Sequence, residues 1–271
     1  MKKLAVIGKD VSKSASPQIH NFIAKKLGLE IEYDNISVPE EEFSDKISGI
    51  LESYDGLNVT IPYKLSVIPY LKTTVGDAVA FGAVNTVNTR TLTGYNTDGE
   101  GFALMLSNAG VDLKGKTALV IGAGGAGRSV AAKLLEGGAR TFIYDKNADS
   151  ARAVKREFRG VTALENIPLT PYYAVINASG VGMHRTEGLS PVGGELLSLC
   201  EVAADLIYVP AKSRFLEIAA SYGKKIINGL AMLFYQAYFA ECIFFERTPD
   251  ENEAKKLFEE YAAAAVQDGN L

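Results

Sequence analysis

An apolar strand that runs straight into a glycine-rich turn and out into a helix constrains this chain more than any other feature. Thr117-Ala118-Leu119-Val120-Ile121 has the unbroken hydrophobicity of a buried strand, and Gly122-Ala123-Gly124-Gly125-Ala126-Gly127 follows it. Val130, Ala131, Leu134 and Leu135 then recur at helical spacing until Gly137-Gly138 ends the pattern. Glycines at such a junction let backbone N–H groups and the positive end of the helix dipole come close to a diphosphate. A second apolar strand, Thr141-Phe142-Ile143-Tyr144, ends at Asp145, 23 positions after Gly122. That is where a dinucleotide fold places the acid that binds the adenosine ribose. Glycine also serves ordinary turns, but strand, turn, helix, strand and acid in this order point to a dinucleotide site. Its lining would be Gly122, Gly124, Gly125, Ala126, Gly127 and Asp145.

The chain has 271 residues, 47% hydrophobic and 22% charged, long enough for two modest domains or one large one and able to bury a substantial core. A net charge of −4 and the lack of any Lys/Arg run make nucleic acid and acidic membranes poor partners, so phosphate binding must be local. Cys200 and Cys242 lie far apart, and His20 and His184 are the only imidazoles, a composition from which no metal site is expected. The apolar run Leu4-Ala5-Val6-Ile7 is stopped by Gly8, Lys9 and Asp10, too soon for a signal segment, and no run approaches membrane-spanning length. The reading is a cytoplasmic protein with a small-molecule partner.

Strand patterns at Leu4 to Ile7, Ile31 to Val38 and Gly56 to Thr60 alternate with helical patterns at Pro17 to Leu27 and Glu40 to Leu51, which predicts a parallel α/β sheet. Val84 to Arg90 reads as a further strand and Thr97 to Ala109 as a helix leading toward Thr117. Strands near Ala118, Phe142, Ala174, Ala203 and Lys225 then make one nucleotide-binding domain. The tail is helical: Leu230 to Phe245 is strongly apolar, and Thr248-Pro249-Asp250-Glu251 has the form of a capping box opening a last helix through Ala263.

Three segments of the first half carry candidate chemistry. Ser12-Lys13-Ser14-Ala15-Ser16-Pro17 opens a helix, with Ser16 as the expected N-cap; two hydroxyls beside unpaired helix N–H groups suit a small carboxylate, although capping alone would also explain Ser16. His20, inside that helix, reads as packing. Asn58-Val59-Thr60-Ile61-Pro62-Tyr63-Lys64 sets polar residues at the C-terminal edge of a buried strand, the edge where open α/β sheets bind ligands. Lys64 there is either a proton-transfer group or a solvated surface lysine. Gly94-Tyr95-Asn96-Thr97-Asp98-Gly99 places a carboxylate at a helix start, as a cap or as a partner for a cation.

Taken together, these segments closely resemble the shikimate dehydrogenase family over nearly the whole chain. The resemblance rests on Ser14-Ala15-Ser16-Pro17-Gln18-Ile19-His20-Asn21, Asn58 to Lys64, Gly82-Ala83-Val84-Asn85-Thr86, Asn96-Thr97-Asp98, the glycine loop, and Asn228-Gly229-Leu230-Ala231-Met232-Leu233-Phe234-Tyr235-Gln236-Ala237, in the family's order. It implies reversible hydride transfer from a reduced nicotinamide to the ring ketone of 3-dehydroshikimate, giving shikimate. It further implies that Ser14, Ser16 and Thr60 hold the substrate carboxylate, that Asn85, Asp98 and Gln236 hold ring hydroxyls, and that Lys64 and Asp98 are the catalytic pair. Met232 and Lys146 join the cofactor-binding residues. The implied organisation is a substrate-binding domain at 1–99, a Rossmann-type domain at 100–229, and helices at 230–271 that return to the first domain, in a monomer or homodimer.

The chain departs from the family pattern in places. Asp10 and Lys13 stand where proline and histidine are usual, and Asn177-Ala178-Ser179 varies the usual Asn-Ala-Thr. Asp145-Lys146-Asn147 replaces the common Asn-Arg-Thr, whose arginine embraces the 2′-phosphate of NADP. An acid there favours the free ribose of NAD, while Lys146 and Arg152 offer positive charge to a phosphate. The cofactor is therefore NADP or NAD, with a slight lean to NAD from Asp145. Two rival readings stand beside this one: an enzyme that also takes quinate, and a non-catalytic relative that keeps the fold and binds ligand without turnover.

Overall fold

The computed structural model describes residues 1–267. They form two compact units, one of Met1–Gly101 with Phe234–Ala264, the other of Phe102–Leu233 with residues 265–267. The sequence places the divisions at 99/100 and 229/230; the structure places them inside two helices.

The first unit is built from β1 (Lys2–Gly8), α1 (Ser16–Leu27), β2 (Ile31–Ser37), α2 (Phe43–Ser53), β3 (Gly56–Val59), β4 (Thr73–Thr74), α3 (Asp77–Phe81), β5 (Thr86–Asn88) and β6 (Thr93–Tyr95), followed by the start of α4 (Asp98–Asn108). Its six strands lie in the order β2-β1-β3-β5-β6-β4. The first three are parallel, with Ile7 beside both Ile36 and Val59. The expectation of a parallel sheet fails beyond them: β5 runs antiparallel to β3 and β6 antiparallel to β5. The chain between β5 and β6 is a short turn, and only a long crossover can join parallel neighbours.

Alternation along β1 divides the core into two faces. Ala5 and Ile7 pack with Phe43, Ile47 and Leu51 of α2, while Leu4 and Val6 pack with Tyr33, Ala240 and Phe244. The last two lie on α9 (Leu230–Phe244), which is apolar on every side and therefore buried. Gly56 makes the approach of Phe244 possible, since a Cβ there would meet its ring. Burying such a phenyl group contributes about 1.5–3 kcal/mol.

The second unit continues with β7 (Thr117–Ile121), α5 (Gly125–Glu136), β8 (Arg140–Tyr144), α6 (Ala148–Glu157), β9 (Thr162–Leu164), β10 (Ala174–Asn177), α7 (Gly194–Leu197), β11 (Val202–Asp205), α8 (Arg214–Ser221) and β12 (Lys225–Ile227). Its sheet is parallel throughout, in the order β12-β11-β10-β7-β8-β9. The order reverses at β7 and β10, the switch point at which such sheets bind nucleotides. Leu119, Val175 and Ala203 of its central strands pack with Phe215 and Leu216 of α8.

The last helix, α10, covers Glu251–Gln267. Its cap is Asp250, whose Oδ1 accepts the N–H groups of Asn252 at 2.8 Å and Glu253 at 3.3 Å, and not Thr248 as the capping-box pattern predicts. Aspartate, two positions nearer the helix than Thr248, offers a side-chain oxygen with a charge that complements the dipole.

Candidate active site

The C-terminal ends of β1 and β3 share one edge of the first sheet, and Thr60 sits there directly after β3. Its N–H donates to Ile7 O at 2.9 Å, and its methyl lies against Gly8, where a Cβ would collide with it. The next turn brings Tyr63 inward, stacked on Phe43 with ring centroids 4.1 Å apart and its hydroxyl donating to Val38 O at 2.5 Å. With Tyr63 anchored, Lys64 is held from both sides: its carbonyl accepts the Val84 N–H at 2.8 Å, which sets it beside Asn85.

The Lys64 ammonium donates to Asp98 Oδ2 at 2.5 Å. Both side chains are largely withdrawn from water, at 14% and 9% exposure. Asp98 is the first residue of α4, where the helix dipole stabilises its charge, and Asn96 Oδ1 accepts its N–H at 3.0 Å. The second carboxylate oxygen, Oδ1, accepts Asn85 Nδ2 at 2.8 Å. Gln236 Oε1 lies 3.4 Å from the same amide. A cationic donor is thus fixed at one oxygen of a carboxylate whose other oxygen is already occupied, so the ammonium keeps two further N–H bonds to offer to a ligand.

Ser14 and Ser16 meet at the start of α1, Ser14 Oγ donating to Ser16 Oγ at 3.0 Å. Ser16 is not the N-cap. Ala15 occupies that position and makes no side-chain cap, and the N–H of Ser16 donates to Ser14 Oγ at 3.2 Å. Ser16 is instead the first helical residue, and its hydroxyl accepts the Ser14 Oγ hydrogen bond near Tyr33 of β2. His20, on the next turn, is fully buried, with Nδ1 2.7 Å from Glu241 Oε1 of α9. It stacks on the Tyr33 ring at a centroid distance of 4.3 Å. The sequence reading of His20 as a packing residue missed this pair and Tyr33 as well. One sign was visible: Glu241 is the only charged residue in the helix Leu230–Phe244.

In the second unit, Gly122 has φ 106°, a conformation that side chains disfavour, and a Cβ on it would press into the Ala178 carbonyl. A Cβ on Gly127 would strike the Gly122 carbonyl. These two glycines are required by close approach of backbone, and Gly124 opens α5 with no side-chain cap. Amide N–H groups of Gly125, Ala126 and Gly127 in that first turn are the ones a phosphate would use. Asp145 turns back to this loop: Oδ2 accepts the Ala123 N–H and Oδ1 the Asn147 N–H, each at 2.8 Å. Lys146 is exposed beside it. Arg152 pairs with Asp149 at 2.9 Å and Glu165 at 3.5 Å, so its charge is directed to carboxylates. Asn147 caps α6 by accepting the Asp149 N–H. Met232 is buried in the first turn of α9.

Comparison with known proteins places the chain in a family. The pattern described as the shikimate dehydrogenase substrate binding domain matches residues 6–87. The shikimate dehydrogenase (NADP(+)) of Carboxydothermus hydrogenoformans is 38% identical over 251 residues, 88% of this chain and 90% of that protein. This chain belongs to the shikimate dehydrogenase family. Among solved structures, shikimate 5-dehydrogenase of Thermus thermophilus in complex with NADP(H) and shikimate superposes with a TM-score of 0.85 at 34% identity, covering 96% of this chain and 99% of that one. The Listeria monocytogenes enzyme in complex with shikimate and NAD gives 0.82 at 28% identity, covering 95% and 96%. No helix among the described residues is long and apolar enough to cross a membrane.

Proposed function

We propose that this chain is a cytoplasmic shikimate dehydrogenase that reduces 3-dehydroshikimate reversibly to shikimate with a nicotinamide dinucleotide. The observation that carries the reading is the short Lys64–Asp98 pair, nearly closed to solvent and braced by Asn85, in a chain of this family. Ser14, Ser16 and Thr60 are the donors for the substrate carboxylate. Asn85, Asp98 and Gln236 receive ring hydroxyls.

The bound nicotinamide supplies or accepts the hydride, and the protein manages alignment and one proton. In the direction of ketone reduction, Lys64 Nζ gives its proton to the ketone oxygen as negative charge develops on it. Asp98 Oδ2 holds the ammonium in place, and Asn85 Nδ2, by occupying Oδ1, keeps the carboxylate from rotating away. Gly122 and Gly127, the uncapped start of α5 and the Asp145-bound loop suit the pyrophosphate and adenosine end of a dinucleotide. Of the two cofactors left open by the sequence, we assign NADP(H): both Asp145 oxygens take backbone N–H groups, and the Carboxydothermus relative is named for NADP(+).

The test is a steady-state absorbance assay of nicotinamide reduction with shikimate and quinate, each against NADP+ and NAD+. Turnover of shikimate is the expected result. Shikimate binding without turnover would make the protein a non-catalytic relative, and equal efficiency on quinate would broaden the substrate.

A further inference from the structure

A line of hydrogen bonds in the first unit runs from Tyr33 to the Lys64–Asp98 pair. Ser14 Oγ donates to Ser16 Oγ, and the Ser16 side chain lies near the Tyr33 hydroxyl. Tyr33 donates to Asn58 Oδ1 at 2.7 Å. Asn58 Nδ2 donates to Thr86 Oγ1 at 3.2 Å, Thr86 Oγ1 to Asn85 Oδ1 at 2.9 Å, and Asn85 Nδ2 to Asp98 Oδ1 at 2.8 Å. Lys64 closes the line on the other oxygen of Asp98.

The direction of the line is dictated by backbone groups. Asn58 Nδ2 also faces the Asn85 carbonyl at 3.4 Å, which can only accept, so Asn58 must present its oxygen to Tyr33. Asn85 Oδ1 also receives the Thr97 N–H at 2.9 Å, which can only donate, so Asn85 must present its amide nitrogen to Asp98. The phenol at the start of the line is kept protonated: burial and the nearby Glu241 carboxylate both push it well above the usual tyrosine range. Its ring is clamped from one side by His20, itself held by Glu241. Such buried polar chains polarise along their length, and a fully satisfied one holds its members in a single arrangement.

We propose that Tyr33 is a positioning residue that, through Asn58, Thr86 and Asn85, fixes the Asp98 carboxylate at the reacting end of the substrate. The proposal rests on the reading of Lys64–Asp98 as that reacting end. Tyr33 itself touches neither the reacting atoms nor Asp98; its influence on turnover passes through the amides.

The experiment uses the full chain with shikimate and NADP+, comparing Tyr33→Phe, Thr86→Val, Thr86→Ser and the Tyr33→Phe/Thr86→Val double variant, each checked for folding by thermal unfolding. Tyr33→Phe should lower kcat by roughly 5- to 10-fold, the range of one lost hydrogen bond, with a smaller change in the shikimate KM. Thr86→Val should lower kcat to a similar extent, Thr86→Ser should restore it, and the double variant should turn over no more slowly than the worse single one, because the line is already cut. Losses that multiply in the double variant, or folded variants with unchanged kcat and KM, overturn the proposal. If Tyr33→Phe does not fold, the comparison of Thr86→Val with Thr86→Ser decides alone: equal turnover in those two overturns it. A wild-type protein inactive on shikimate would instead overturn the functional reading beneath it.

Discussion

The imidazole of His20 and the carboxylate of Glu241 lie 2.7 Å apart although 221 residues separate them in the chain. Both side chains have at most 1% exposure, and His20 Nε2 and Glu241 Oε2 have no hydrogen-bond partner among the described residues. The pair fastens α1 to α9 at the cost of two desolvated polar atoms. Removing one member leaves the other buried and uncompensated, which costs about 3–5 kcal/mol. We therefore expect Glu241→Leu to lower the urea midpoint sharply, and the His20→Phe/Glu241→Leu double variant to recover most of the loss. Equal midpoints for wild type and the single variant would show that the pair contributes nothing.

Lys64 and Asp98 make a second prediction, this time on turnover. Lys64→Ala should lower kcat by roughly 100- to 10,000-fold, the range of a general acid, with a much smaller change in shikimate KM. Asp98→Asn keeps the Asn85 contact and loses the charge that holds the ammonium, so it should lower kcat as well. Steady-state kinetics on both variants check this. A Lys64→Ala protein that keeps most of its turnover takes the lysine out of the mechanism.

Asp205, fully buried at the end of β11, gives a pH dependence of stability. Burial raises its carboxyl above the ordinary 3.8, partly offset by hydrogen bonds from Ser213, the Ile207 N–H and Asn177. Between 3.8 and that raised value the native state holds a proton that the unfolded chain has released. The unfolding free energy contributed by this group is therefore full below 3.8 and falls as pH rises through the window. Asp205→Asn lacks the titration. Urea unfolding at about pH 4 and about pH 7 should show wild type losing ground to the variant as pH rises. A constant difference at the two pH values would refute the assignment.

The second unit is legible because each of its central strands carries an apolar run, at 118–121, 174–176 and 202–204, that is buried on both faces, and burial writes itself into composition. The outer strands of the first sheet carry no such record. Thr73–Thr74 and Thr93–Tyr95 are too short to show a period, and they exist because neighbours pair with them. Gly94 shows the same point, since its role is to admit Val84 and Leu71, which a Cβ would strike. In the site, the residues named from the family motifs do meet, Lys64 with Asp98 and Asn85 with Gln236. Tyr33 and Glu241 went unread because their partners are far away in sequence, and Thr86 because a threonine that links a distant Asn58 to its neighbour Asn85 is ordinary in type. Ser16 was misread as a cap because a serine before Pro17 is the common form of one; its hydroxyl is engaged elsewhere.

The glycine loop sets the last prediction. On charge alone, Asp145 disfavours a 2′-phosphate, and Asp145→Asn would be expected to move preference toward NADP. The structure changes that expectation, because each carboxylate oxygen accepts a backbone N–H, from Ala123 and from Asn147. An asparagine can accept only one of them and turns its NH2 group toward the other donor, so the loop that receives the pyrophosphate loses a hydrogen bond. Asp145→Asn should then raise the KM for NADP+ and NAD+ by similar factors. Lys146 is the exposed cation nearest in sequence, and its replacement by alanine should raise the KM for NADP+ by about tenfold or more, the range of a charge-assisted hydrogen bond, while leaving NAD+ nearly unchanged. The measurement is the ratio of kcat/KM with the two cofactors, taken for wild type and both variants at one ionic strength. If Asp145→Asn shifts that ratio toward NADP+ and Lys146→Ala does not shift it toward NAD+, the carboxylate charge governs the choice and the loop-bracing role of Asp145 is wrong.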